Sequence, residues 1–319
     1  MRILSGIQPS GKPHLGNYFA MMKRMIDYQK DCELFAFIVN LHALTTVHDA
    51  KRLKADTLNV ALDWLALGLD PKHSTLWVQS EVPAVAELAW ILSTVTTMGL
   101  LERSHSYKDK LAKGILPSVG LFTYPVLMAA DILIMQSDKV PVGKDQKQHL
   151  EIARDIAEKF NQTFGETFTI PAPDIAEELA VIPGTDGQKM SKSYGNTIEI
   201  FGSEAEVKKQ IMGIKTDSKA LGEALDPTHC TVFKLYSLMA SPQEVVQMEK
   251  DYLSGKVGYG DAKKRLLEAF LAYFKAFRAQ RTKLEKDLPA VEKILADGAK
   301  RAGAVAEQTM KEVRKKVGI

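Results

Sequence analysis

Three short apolar runs stand in the first eighty residues: RILSG at 2–6, LFAFIV at 34–39 and STLWVQ at 74–79. Between them lie segments whose apolar residues recur at three-and-four spacing, first Tyr18, Met21, Met22, Met25 and Ile26, then Leu58, Ala61, Leu62 and Leu65. The middle run is apolar without alternation, as a strand covered on both faces must be. This β-α-β-α-β order predicts a parallel, doubly wound α/β sheet, which takes its ligands at the C-terminal ends of its strands. KVPVG at 139–143 is a further strand, followed by a helix with Leu150, Ala153, Ile156, Ala157 and Phe160 on one face. Pro and Gly cluster from 171 to 195, which reads as an irregular, mobile loop. Past residue 201 strand signals fade and helical stripes such as Leu266, Phe270, Phe274 and Phe277 take over. The expected organisation is an α/β domain over 1–200 and an α-helical domain over 201–319.

The loop GIQPSGKPHLGN, residues 6–17, leaves the first strand at the edge where ligands bind. Glycines there let backbone N–H groups approach a phosphate, and the following helix N-terminus adds positive potential. Neither G-x-x-x-x-G-K-[ST] nor G-x-G-x-x-G is present, so the two common nucleotide fingerprints do not apply. Two cysteines, Cys32 and Cys230, are too few for a disulfide framework or a Cys-rich zinc site, and no protein-bound metal is expected. The chain shows no apolar run long enough for a signal peptide or a membrane span, which points to the cytoplasm. Charge is uneven: fifteen Lys and Arg stand against eight Asp and Glu over 259–319, and 27 against 31 before that. A basic C-terminal region suits a polyanion-binding appendage, although solvated helix faces give similar counts.

Pro13-His14-Leu15-Gly16-Asn17 after the first strand and Lys189-Met190-Ser191-Lys192-Ser193 in the irregular segment together resemble the two signature motifs of class I aminoacyl-tRNA synthetases. SGIQPSG, FTYPVLMAADIL and VPVGKDQKQHLEIARDIAEKFN are similar to the bacterial tryptophanyl family over nearly the full chain. The resemblance implies a Rossmann-like catalytic fold and a helical domain that recognises the anticodon. It further implies ATP with Mg2+ as substrate, L-tryptophan and tRNA(Trp) as partners, and a homodimer. By it His14, Asn17, Lys189, Lys192 and Ser193 are the catalytic set. ATP is expected on Gln8, Pro9, Ser10, Gly16, Asn17, Gly143, Lys144, Asp145, Ile182 and the segment Lys189, Met190, Ser191, Lys192 and Ser193. Tryptophan is expected on Asp131, Met128, Tyr124, Gln146, Val142, His42 and Gln8. Each motif also has a physical reason. Gly16 would let an adenine ring lie on backbone where a Cβ would clash, while His14 and Asn17 aim donors at the triphosphate. Two lysines within four residues can neutralise a pyrophosphate leaving group. The family commonly has an acidic residue where Lys144 stands, which leaves its contact to ATP open.

Asp131 can be argued without the resemblance. It is the single charged residue in VLMAADILIM, and a buried carboxylate without a donor costs several kcal/mol. A structural partner or an indole N–H, which donates and cannot accept, would each serve. His42 after the second strand is a structural histidine or a site member. The rival readings are a tyrosyl enzyme, whose phenol would favour a more polar pocket, a non-catalytic tRNA-binding paralogue, and a small-molecule adenylyltransferase lacking the basic tail.

Overall fold

The computed structural model describes residues 1–9, 11–104, 107–108, 118–143, 147–175, 181–220 and 222–319. Among the described residues, five strands form one sheet: β1 (Arg2–Ile7), β2 (Glu33–Ile38), β3 (Ser74–Val78), β4 (Lys139–Val142) and β5 (Ala172–Ile175). Their order is β3-β2-β1-β4-β5 and every pairing is parallel. The chain winds outward from β1 to β3, then returns to the other side of β1 for β4, so the direction of winding switches between β1 and β4. In such sheets the crevice at that switch is the ligand site.

Helices α1 (Leu15–Asn17), a π-helical turn (Tyr18–Met22) and α2 (Lys23–Asp27) follow β1, then α3 (Asn40–Ala43) and α4 (Ala50–Ala66) follow β2. Asp49 starts α4 by accepting from the N–H groups of Lys51 and Arg52, and Gly68 at φ +108 reverses the chain after it. Next come α5 (Ala84–Ser93), α6 (Met98–Glu102), α7 (Val119–Ile134) and α8 (Lys147–Phe164). The second half holds α9 (Glu204–Met212), α10 (Thr231–Ser237), α11 (Pro242–Leu253), α12 (Tyr259–Glu285) and α13 (Leu288–Val317).

The expectation of an irregular 171–195 is corrected in part, because Ala172–Ile175 is a strand paired with β4 from Lys139↔Ala172 to Val142↔Ile175. As an edge strand it tolerates Pro173, whose missing N–H would break a central one. The core is continuous across residue 200. Phe270 and Phe274 of α12 pack in one cluster with β1 and β2 residues, and Ala302, Ala306 and Met310 of α13 pack in the cluster on the sheet's other face.

Candidate functional site

Six residue pairs hold β1 to β2, but β1 and β4 are in register at Ile3 and Lys139 alone among the described residues. Beyond that pair β1 runs on to Ile7 and β4 to Val142, and Pro141 has no N–H with which to continue the ladder. The strands therefore diverge, and a cavity of about 340 Å³ opens between them. Gly6 of β1 and Gln8 just after it line the cavity, with Val39 following β2, His42 of α3, Tyr124, Met128 and Asp131 of α7, and Val142 and Gly143 at the end of β4. Met21, carried by the π-helical turn, closes a further side. A Cβ on Gly6 would sit 2.9 Å from Val39 Cγ1, so glycine is what lets β1 pass this wall.

Asp131 is 4% exposed in an otherwise apolar helix face, and it has its donors. Gln79 Nε2 lies 3.0 Å from Oδ1 and 2.8 Å from Oδ2, and His42 Nε2 is 3.0 Å from Oδ2. Burial pushes the Asp131 carboxyl above the usual carboxylate range, while His42 and Gln79 act in the opposite sense. Gln79 itself is 1% exposed, and its Oε1 accepts from the N–H groups of Leu41 and His42 at 3.0 and 3.4 Å. Sequence reasoning missed Gln79; its signal was an amide standing directly after the apolar Leu76-Trp77-Val78. The rings of His42, Tyr124 and His149 form one wall, with the Tyr124 hydroxyl bonded to His149 Nε2.

The two quoted motifs meet directly. Leu15 N–H donates to Ile198 O at 3.0 Å, Ile200 N–H to Pro13 O at 3.2 Å, and Gly16 N–H to Met190 Sδ at 3.3 Å. Asn17 N–H donates to His14 Nδ1 at 3.3 Å while Asn17 Oδ1 accepts from His14 N–H at 3.2 Å, a reciprocal cap. With Nδ1 an acceptor, the neutral ring carries its proton on Nε2. Burial, and then the Lys192 charge, lower the His14 pKa to about 4, so the imidazole is neutral at physiological pH.

The structure adds an intramolecular reason for Gly16. The volume a Cβ would take is filled by His14 Nδ1 at 2.9 Å and Met190 Cβ at 3.2 Å, both from this chain, so the junction of the two motifs by itself demands a glycine here. Asn17 likewise spends its side-chain oxygen on the cap. Gly11, at φ +83, has the Lys192 Nζ 3.6 Å from its Cβ position. The loop between Ile7 and Pro13 thus runs from the cavity, where Gln8 stands, past the buried Pro9 to the Lys192 ammonium.

Asn196 organises the second motif, and the sequence reading did not single it out. It is 2% exposed; its Oδ1 accepts from Ser191 N–H at 2.8 Å, its Nδ2 donates to Asp186 Oδ1 at 2.7 Å and Lys189 O at 3.1 Å, and its carbonyl accepts from Thr185 N–H at 2.9 Å. Met190 N–H donates to the buried Ile182 at its carbonyl, 2.8 Å away, and Ser191 Oγ accepts from Ser193 N–H at 3.3 Å. Lys189 and Lys192 are left exposed on this frame. Just beyond it, Arg278 of α12 donates to the carbonyls of Ile200 and Gly202, and Arg281 pairs with Asp63 of α4 at 2.7 Å. Burial raises the Asp63 carboxyl to about 6 in spite of that arginine.

Arg278 and Arg281, two of the fifteen cations over 259–319, are therefore internal clamps rather than surface charge. Lys263, Lys264 and Arg265 also have partners, the Met212 carbonyl, Asp261 and Asp251. Ser10, Lys144, Asp145 and Gln146 lie outside the described residues. Among the described residues no group of three or more His, Cys, Asp and Glu could hold a metal ion, and no helix is long and apolar enough to cross a membrane.

Residues 1–275 match the family described as tRNA synthetases class I (W and Y). A tryptophan-tRNA ligase of Rhodopirellula baltica is 52% identical over 319 residues, with all of both chains covered. The crystal structure of tryptophanyl-tRNA synthetase from Campylobacter jejuni complexed with ADP and tryptophan matches with a TM-score of 0.96 at 50% identity, again over all of both chains. That of the enzyme from Mycoplasma pneumoniae matches with a TM-score of 0.84 at 31% identity, over 100% of this chain and 97% of the other.

Proposed function

This chain belongs to the class I tRNA synthetases of the tryptophan and tyrosine group, and on that premise we propose that the cavity between β1 and β4 holds the tryptophan side chain, with Asp131 accepting the indole N–H. The activity is that of a bacterial-type tryptophan-tRNA ligase: L-tryptophan is activated with ATP to tryptophanyl-adenylate and pyrophosphate, then transferred to tRNA(Trp). The observation that carries this is full-length identity at half of all positions to an enzyme whose structure contains ADP and tryptophan. Tryptophan-dependent exchange of pyrophosphate into ATP tests it, with tyrosine as the control.

The chemistry needs no side-chain nucleophile, because the tryptophan carboxylate is already ionised when it attacks the α-phosphorus. What the protein adds is alignment and charge stabilisation. Met128, Val142 and Tyr124 form an apolar and aromatic wall suited to an indole, and Gln8 and His42 lie at its edge. Neutral His14 offers one N–H from Nε2 without adding a charge, and Lys189, Lys192 and Ser193 face the phosphates from the opposite loop. ATP enters as its Mg2+ complex, the phosphates holding the ion. The helical region 201–319 meets the anticodon, and the enzyme works in the cytoplasm. For the tRNA footprint the partners of Lys263, Lys264 and Arg265 matter, since neutralising these three together would also break two ion pairs.

Replacing Asp131 with alanine is expected to weaken tryptophan binding by about 1 to 3 kcal/mol, the cost of an unpaired donor in an apolar site, while ATP binding stays nearly intact. Calorimetric titration of each ligand checks it. Equal losses for both would mean that Asp131 only supports the fold through Gln79 and His42.

A homodimer is supported by three large apolar side chains left in solvent on helices that pack together: Trp90 on α5 at 74% exposure, Met98 on α6 at 63% and Val119 on α7 at 79%. Burying a side chain the size of Trp90 stabilises an interface by about 2 kcal/mol, and a carboxylate there opposes it. Sedimentation velocity should therefore show Trp90→Glu shifted toward monomer at micromolar concentration, and an unchanged mass would remove this surface from the interface.

A further inference from the structure

Among the described residues, the hydrogen bonds around Asp131 leave it one acceptor direction to offer a ligand. A carboxylate oxygen accepts along two directions. Oδ2 has both filled, by His42 Nε2 at 3.0 Å and Gln79 Nε2 at 2.8 Å, whereas Oδ1 has one, from Gln79 Nε2 at 3.0 Å. Gln79 is itself fixed from behind, because its Oε1 accepts from Leu41 N–H and His42 N–H at the start of α3. A single side chain, 1% exposed at the end of β3, thus ties the orientation of the carboxylate on α7 to the backbone that carries His42.

We propose that Gln79 is the positioning residue behind ring recognition: by holding Asp131 with Oδ1 as its one open acceptor, it makes the cavity select a flat bicyclic ring that presents an N–H. The inference rests on the reading that Asp131 meets the indole. Without Gln79 the carboxylate loses the amide that touches both of its oxygens and can turn, so the indole loses its aligned acceptor while the apolar wall that grips the ring stays in place. Gln79 does not line the cavity. It acts through Asp131, and its effect should depend on whether the ligand has an N–H.

The probe is 3-(benzothiophen-3-yl)alanine, which keeps the bicyclic shape of tryptophan and replaces the N–H by sulfur. Pyrophosphate exchange is measured with both amino acids on the full chain, and kcat/KM is compared as a ratio. The unaltered protein should prefer tryptophan by on the order of tenfold to a hundredfold, the span of a hydrogen bond to a charged group. In Gln79→Met that preference should fall to within a few-fold of unity, through loss of tryptophan turnover with the analogue little changed, and Asp131→Asn should do the same. Gln79→Asn, one methylene too short to reach both α3 and Asp131, is expected to behave likewise and serves if the methionine variant does not melt cooperatively. If the Gln79 variants lower both substrates equally while Asp131→Asn still abolishes the preference, Gln79 is only a structural residue and the proposal is overturned. A failure of Asp131→Asn to change the ratio would instead remove the indole reading, and this proposal with it.

Discussion

Lys192→Ala is expected to slow adenylate formation by roughly a hundredfold, about 3 kcal/mol in the barrier, with tryptophan affinity unchanged. The ammonium lies against Gly11 of the first loop, at the junction where the two motifs bond to each other, and Gln8 near the other end of that loop lines the cavity. Although the Lys192 side chain is exposed overall, protein packed around its ammonium strips part of its water and lowers its pKa, whereas Asp56, Glu199 and Asp63 favour the charged form. Negative charge builds on the leaving pyrophosphate during the attack, so a fixed cation at this place is worth more in the transition state than in the ground state. The rate should therefore fall without a matching change in ground-state binding. Rapid-quench measurement of a single turnover at saturating ATP and tryptophan reads this directly. Lys192→Arg, which keeps the charge on a different geometry, should fall between the two. An unchanged single-turnover rate in the alanine variant would take Lys192 out of the chemistry.

The sequence revealed elements whose signals are local. Apolar runs, helical stripes and the pairing of His14–Asn17 with Lys189–Ser193 depend on neighbours within a few positions, and four of the five strands were read from them. What stayed hidden depends on distant partners. APDI at 172–175 has the composition of a turn and is a strand because β4 lies beside it. Gln79 looked like the polar end of a strand, and its meaning comes from Asp131, 52 residues away. Arg278 and Arg281 enter the count of basic residues over 259–319, yet Ile200 and Asp63, 78 and 218 residues away, hold them. Gly16 stands at a position that needs glycine, and the atoms that crowd its Cβ position belong to His14 and to Met190, 174 residues away. Charge counts and spacing cannot report such closures, because the same residue types stand on solvated faces just as often.

Gly298→Ala should destabilise the protein by about 3 kcal/mol, although an alanine in an unhindered helix site would stabilise it by about 1 kcal/mol. Gly298 lies in the middle of α13, where the helix crosses β3. A Cβ there would stand 1.8 Å from the Leu76 carbonyl oxygen, 2.6 Å from its carbon and 3.2 Å from its nitrogen. These are backbone atoms of a strand paired with β2, so no side chain can rotate away, and either the helix retreats or the strand shifts. Retreat loosens the contacts of Leu295, Ala302, Ala306 and Met310, all buried on the same helix. The clash thus outweighs the gain in helix propensity. Gly303 is the internal control: it lies on the same helix with nothing within 4 Å of its Cβ position, so Gly303→Ala should be neutral or stabilising. Urea denaturation of both variants separates the two effects. Because β3 ends at Val78, next to Gln79, a shift of the strand should also raise the tryptophan KM in Gly298→Ala more than the ATP KM. Equal stability of the two alanine variants would show that α13 does not press on β3 as described.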